Sequence, residues 1–150
     1  MNNQESPSPE GHVTVRGAAS SFSQTIETRS HRLIADEPVE VGGTDAGPTP
    51  YDLLLAALGS CASMTVGLYA RGKGWPLQEV AVRLRHSRVH AVDCAECETK
   101  EGRIDRIDWS FQLTGELTGE QRTRLLQIAQ RCPVHRTLVS VIDIRPPQIS

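Results

Sequence analysis

The stretch from Thr49 to Gly74 constrains the fold of this 150-residue chain more than any other. It begins as a helix should. Thr49 can cap it, Pro50 suits a first helical position whose N–H would be unpaired anyway, and Asp52 sits at the positive end of the dipole. Apolar or small residues then recur at Leu54, Ala57, Leu58, Cys61, Met64, Thr65 and Leu68. That spacing, i, i+3, i+4, i+7, marks one face of a helix. Leu53, Leu55, Ala56 and Val66 place further apolar groups on the other faces, so the first half is expected to be buried nearly all round. Arg71, Gly72, Lys73 and Gly74 close it. The continuous apolar run at residues 53–58 is too short to span a bilayer.

Strand-like alternation precedes and follows this helix. Residues 13–16, 22–28 and 32–35 read as short strands, followed by a loop rich in Gly and Pro. Residues 80–89 and 104–117 alternate as two long strands, the second carrying Ile107, Trp109, Phe111 and Leu113. Between them lies a charged loop. Thr118 with Gln121 forms a capping box for a second helix, whose apolar face is Leu125, Leu126, Ile128 and Ala129. Cys132 is expected at the end of that helix, before Pro133, and residues 137–144 as a last strand. The order β-β-(β)-α-β-β-α-β is α+β. Residues 1–11, rich in Ser, Pro and Glu, read as a disordered lead, and 12–150 as a single domain.

Net charge is −2, with acidic and basic residues interspersed. No basic stripe points to nucleic acid or to an anionic membrane. The N-terminus lacks a charged region followed by an apolar core, so a cytoplasmic protein is expected. Cysteines in that reducing compartment bind metal, catalyse, or pack as small hydrophobes. There are four: Cys61, Cys94, Cys97 and Cys132.

Cys61 lies on the main apolar stripe among small neighbours, Gly59, Ser60, Ala62 and Ser63. It is either a packing residue or a thiol that a substrate or partner helix approaches closely. A thiol peroxidase divides its chemistry between two cysteines. One thiolate attacks the O–O bond and becomes a sulfenic acid; the other condenses with it to a disulfide before over-oxidation. The attacking thiolate needs a cation or a helix N-terminus beside it. Cys61 is too deep in its helix to use that helix's own end.

Two segments carry a family resemblance. Asp45-Ala46-Gly47-Pro48-Thr49-Pro50-Tyr51-Asp52-Leu53-Leu54-Leu55-Ala56-Ala57-Leu58-Gly59-Ser60-Cys61-Ala62-Ser63-Met64-Thr65 resembles the first cysteine motif of OsmC/Ohr proteins. Cys132-Pro133-Val134-His135-Arg136-Thr137-Leu138, about seventy residues on, resembles the second. The segments 90–97 and 102–105 resemble one OsmC-like subgroup. The resemblance implies an α+β, OsmC-like fold with antiparallel-rich sheets packed on two main helices, in an intertwined homodimer. It implies reduction of organic hydroperoxides, with hydrogen peroxide as a further substrate. Cys61 would be the attacking thiol and Cys132 the resolving one, with a dithiol as reductant and no cofactor required. Peroxidase members carry a Glu ten residues before the first cysteine, paired with an activating Arg; here that position is Tyr51, with Asp52 next to it. Nine residues of helix rise roughly 13 Å. Asp52 therefore acts, if at all, on the site of a second copy. Arg16, Arg29 and Arg136 are the candidates for the activating cation, and His135, near Cys132, for proton transfer.

Cys94 and Cys97 form a CxxC in an acidic loop, with His86 and His90 upstream. Three readings stand side by side: a redox dithiol that recycles the Cys61–Cys132 disulfide, a zinc loop ligated by His86, His90, Cys94 and Cys97, or a loop without chemistry. Two further functions are carried beside the peroxidase: a small-molecule-binding protein on the same fold, and a zinc-stabilised protein.

Overall fold

A computed structural model describes residues 11–150, which group into two compact units, one ending at Leu54 and the other beginning at Leu55. The first unit holds a three-stranded antiparallel sheet in the order β1 (Thr14–Gly17), β2 (Gln24–Thr28) and β3 (His31–Ala35). A two-residue turn, Arg29-Ser30, joins β2 to β3, with Arg29 at φ 50°. A loop with one 3-10 turn at Val39–Val41 leads on to α1 (Pro50–Lys73).

That loop is organised by one carboxylate. Asp36 is buried and accepts hydrogen bonds from the Glu37 N–H (2.8 Å), the Thr44 hydroxyl (2.5 Å), and the Thr44 and Ala46 N–H groups (both 3.2 Å). Two glycines permit the close chain path. A Cβ on Gly43 would lie 1.9 Å from the Glu37 carbonyl oxygen, and one on Gly47 would lie 2.1 Å from that of Ile34. The start of α1 is capped reciprocally: the Asp52 N–H donates to the Thr49 hydroxyl (3.1 Å) and the Thr49 N–H to the Asp52 carboxylate (2.9 Å).

In the second unit the body of α1 packs with an antiparallel hairpin, β4 (Glu79–His90) and β5 (Arg103–Thr114), and with α2 (Gly119–Ala129). The hairpin register pairs Leu84 with Trp109 and Val80 with Leu113, so alternate residues of both strands face the helix. Leu58, Ala62, Val66, Ala70, Leu125, Ala129 and Cys132 form the buried cluster. The expected Thr118–Gln121 capping box is present on α2.

Two expectations are corrected. The inward face of α1 is Leu58, Gly59, Ala62, Val66 and Ala70, whereas Met64 and Leu68, on the apolar stripe read from the sequence, are 72% and 65% exposed in the single chain. Periodicity cannot choose between faces when both are apolar. Size chooses instead, because the small residues let α1 approach the sheet: a Cβ on Gly59 would lie 2.8 Å from Leu84 Cδ1. The expected last strand, 137–144, is also absent. A short α3 (Pro133–Leu138) stands there, and residues 139–150 form neither helix nor strand. Pro133 does not simply end the preceding helix. It occupies the first position of a new one, capped by Cys132. The expected disordered lead falls at residues 1–11, and positions 1–10 lie outside the described residues.

Candidate thiol site

Cys61 and Cys132 come from elements far apart in sequence and meet at the core of the second unit. α1 turns Cys61 toward the buried cluster, where it is half-buried. Cys132 caps α3 and is completely buried. Both are free thiols; Cys61 packs against the cluster that holds Cys132 and lies close enough to influence its ionisation. Burial pushes the Cys132 thiol above its ordinary pKa of 9.0, and the contact with Cys61 pushes the same way. Backbone N–H groups of His135 and Val134 oppose this; the His135 N–H donates to Cys132 Sγ at 3.3 Å. Cys132 is thus the thiol held protonated, and Cys61 the one a solute can reach.

His135 is fixed beside this pair. Its ring stacks on Trp109, with centroids 5.4 Å apart and planes 4° apart. Its Nδ1 is buried with no hydrogen-bond partner. The sequence placed His135 near Cys132 but read Trp109 only as an apolar residue of an alternating strand. Residue 109 reaches residue 135 only through the hairpin register, which the sequence pattern does not reveal.

The other sequence candidates are placed elsewhere. The Asp52 carboxylate takes part in the Thr49 cap. Arg16 pairs with Glu27 across the β1–β2 ladder, and Arg29 sits in the exposed hairpin turn. The Arg136 side chain is exposed, while its backbone N–H donates to the Cys132 carbonyl at 3.1 Å. Among the described residues no hydrogen bond or ion pair links an arginine to Cys61. Cys94 and Cys97 are joined to each other as a disulfide. His86 Nε2 lies 2.8 Å from Asp105 Oδ1, and His90 ends β4 in an exposed position. These four side chains do not gather as a metal-holding group among the described residues. The buried carboxylate Asp36 gave no signal in the sequence.

Residues 43–146 match the family of OsmC-like proteins, a span that takes in both cysteine segments. The chain belongs to the OsmC-like family. Its fold is that of solved OsmC-like structures. An OsmC-like protein from Mycoplasma pneumoniae superposes with a TM-score of 0.68 at 20% identity, covering 87% of each chain. The organic hydroperoxide resistance protein OhrB of Bacillus subtilis gives 0.60 at 18% identity, over 88% of this chain and 92% of that one. An organic hydroperoxide resistance protein OsmC from Legionella pneumophila gives 0.61 at 17%, over 85% and 88%. No curated protein matches the chain significantly in sequence. This OsmC-like chain is therefore α+β, with its two motif cysteines paired in space.

Proposed function

We propose that this OsmC-like protein reduces organic hydroperoxides through Cys61 and Cys132, as a homodimer in the cytoplasm. The observation that carries the reading is the contact between one reachable thiol and one buried thiol. The Cys61 thiolate attacks a peroxide oxygen; the O–O bond breaks, the alcohol leaves with a proton, and Cys61 becomes a sulfenic acid. The Cys132 sulfur then attacks the Cys61 sulfur, expels water, and closes a disulfide. A cellular dithiol returns both thiols and is itself oxidised to a disulfide. The cation that favours the Cys61 thiolate comes from outside the contacts of Cys61 described above. Arg16, Arg29 and Arg136 remain the candidates, with a second copy as one source.

The test is peroxide consumption with cumene hydroperoxide and a dithiol, alongside a thiol count. Wild type consumes peroxide and loses two thiols per turnover in the absence of reductant. Cys61→Ser consumes none. Cys132→Ser reacts once and stalls as a Cys61 sulfenic acid, which dimedone traps. Activity retained by Cys61→Ser would falsify the reading. Tyr51, at the position where peroxidase members carry Glu, favours a second reading: an OsmC-like protein that binds small apolar molecules without turnover. Saturable binding of a hydrophobic probe, with no peroxide loss, selects it.

A further inference from the structure

The loop between β4 and β5 carries a second pair of cysteines that the reaction above does not use. Cys94 and Cys97 are bonded to each other, with Cα atoms 5.4 Å apart. The strand ladder fixes the base of the loop: its last pair is His90 with Arg103, and the Ala91 N–H donates to the Gly102 carbonyl at 2.9 Å. Lys100 Nζ donates to the carbonyls of Cys94 (2.5 Å) and Ala95 (3.4 Å) in the cysteine turn. Both cysteines are half-buried, and neither belongs to the buried cluster or packs against it.

The strand ladder sets the base of this loop away from Cys61 of the same chain. Leu84 meets α1 at Gly59, two residues before Cys61. From Leu84 the strand runs six residues to His90, a rise of roughly 20 Å. Cys94 lies beyond that end.

We propose that Cys94 and Cys97 form a second, independent dithiol–disulfide couple that exchanges with small neutral or cationic disulfides and thiols. One protein thiolate attacks the small disulfide and releases one small thiolate. The second protein thiol then attacks the mixed disulfide and releases the other. The protein pair loses two electrons and two protons, and the small disulfide gains them. Two physical features make the couple reversible. The cysteines are only three residues apart, so the bond removes little chain entropy from the unfolded state. The fold therefore gains little from the disulfide and, by linkage, holds it only weakly. Every residue of the loop except buried Ala91 and the two half-buried cysteines is exposed, which leaves a path to the disulfide. Charge sets the partner class. Asp93, Glu96, Glu98 and Glu101 stand against Lys100, so anionic disulfides are repelled.

The experiment equilibrates the full chain in buffers of 2-mercaptoethanol and hydroxyethyl disulfide, quenches in acid, and maps alkylated cysteines by peptide mass spectrometry. It is run on wild type and on Cys61→Ser/Cys132→Ser. Peptide mapping reads the pair in wild type even where the double variant fails to fold. Cys94 and Cys97 should lose their labels together, in both proteins, across the buffer series. Reduction should shift Tm by no more than about 7 °C. Initial oxidation should be several-fold faster with cystamine than with oxidised glutathione, and added salt should narrow that gap. The proposal is overturned by any of four results: both thiols labelled in the most oxidising buffer, a bond that survives the most reducing one, a stable mixed disulfide on one cysteine, or oxidation that requires Cys61. None of these depends on peroxide turnover, so failure here is distinguishable from failure of the peroxidase reading.

Discussion

At the scale of single residues, the two motif cysteines differ in a way that alkylation reads directly. Cys132 is completely buried and its thiol is held neutral, whereas Cys61 is half-buried. Iodoacetamide at pH 8 should modify Cys61 at least about tenfold faster than Cys132 in the reduced protein; equal rates would contradict the geometry. A raised pKa on an acid means the fold favours its neutral form. That contribution to stability is complete below the ordinary thiol value and is lost as pH rises through the folded one. Reduced protein should therefore lose stability above about pH 9, and Cys132→Ala should lose less of it. Asp36 gives the opposite case. The Thr44 hydroxyl, with backbone N–H groups of Glu37, Ala46 and Thr44, lowers its pKa from 3.8 to about 2. Its contribution is complete above pH 3.8 and is lost as pH falls toward about 2. Asp36→Asn should lower Tm by about 5 °C at pH 7 and flatten the acid limb of the stability curve. An unchanged acid limb would mean that Asp36 does not organise the loop. The segments around Cys61 and Cys132 were legible as family motifs because they are long, and the structure brings the two residues to one core cluster. Asp36 was not legible, since a buried carboxylate and a surface one are spelled alike.

Among the elements, the helix starts were legible because capping is local chemistry. Thr49 with Asp52, and Thr118 with Gln121, satisfy each other's orphan N–H groups within four residues, so the sequence states both partners. Thr118→Ala should cost about 1 kcal/mol in denaturant unfolding, with the slope m unchanged. The inward face of α1 was not legible, because choosing it depends on what β4 presents across the gap. The contrast is measurable. Val66 is completely buried and Met64 largely exposed. Val66→Ala should cost about 2 kcal/mol through lost methyl burial and the cavity left behind. The reversed order, with Met64→Ala the costlier change within a single chain, would restore the face read from periodicity. Residues 137–144 failed for a related reason: alternation marks a strand only where another edge pairs with it.

For the whole molecule, that unpaired segment and the outer face of α1 raise the same problem. Val139, Val141 and Ile144 are 71%, 99% and 85% exposed, and Met64 and Leu68 add an apolar stripe on the helix. By length and composition α1 could cross a membrane, with a mean hydropathy of 1.7 over its most apolar window. Yet its other face supplies Leu58, Ala62, Val66 and Ala70 to a core shared with α2. A helix committed to a core on one side and apolar on the other calls for a second protein surface. The proposed occupant is another copy of this chain, covering the α1 stripe and offering an edge to residues 139–150. Sedimentation velocity at micromolar concentration should give twice the chain mass. Met64→Asp/Leu68→Asp should shift the protein toward monomer and lower its Tm, because two charges would be buried without partners. Removal of residues 141–150 should weaken the dimer separately, through lost strand pairing. A wild-type monomer would remove the second copy as a source of the cation proposed to favour the Cys61 thiolate, leaving Arg16, Arg29 and Arg136 of the same chain as the candidates to substitute in turn.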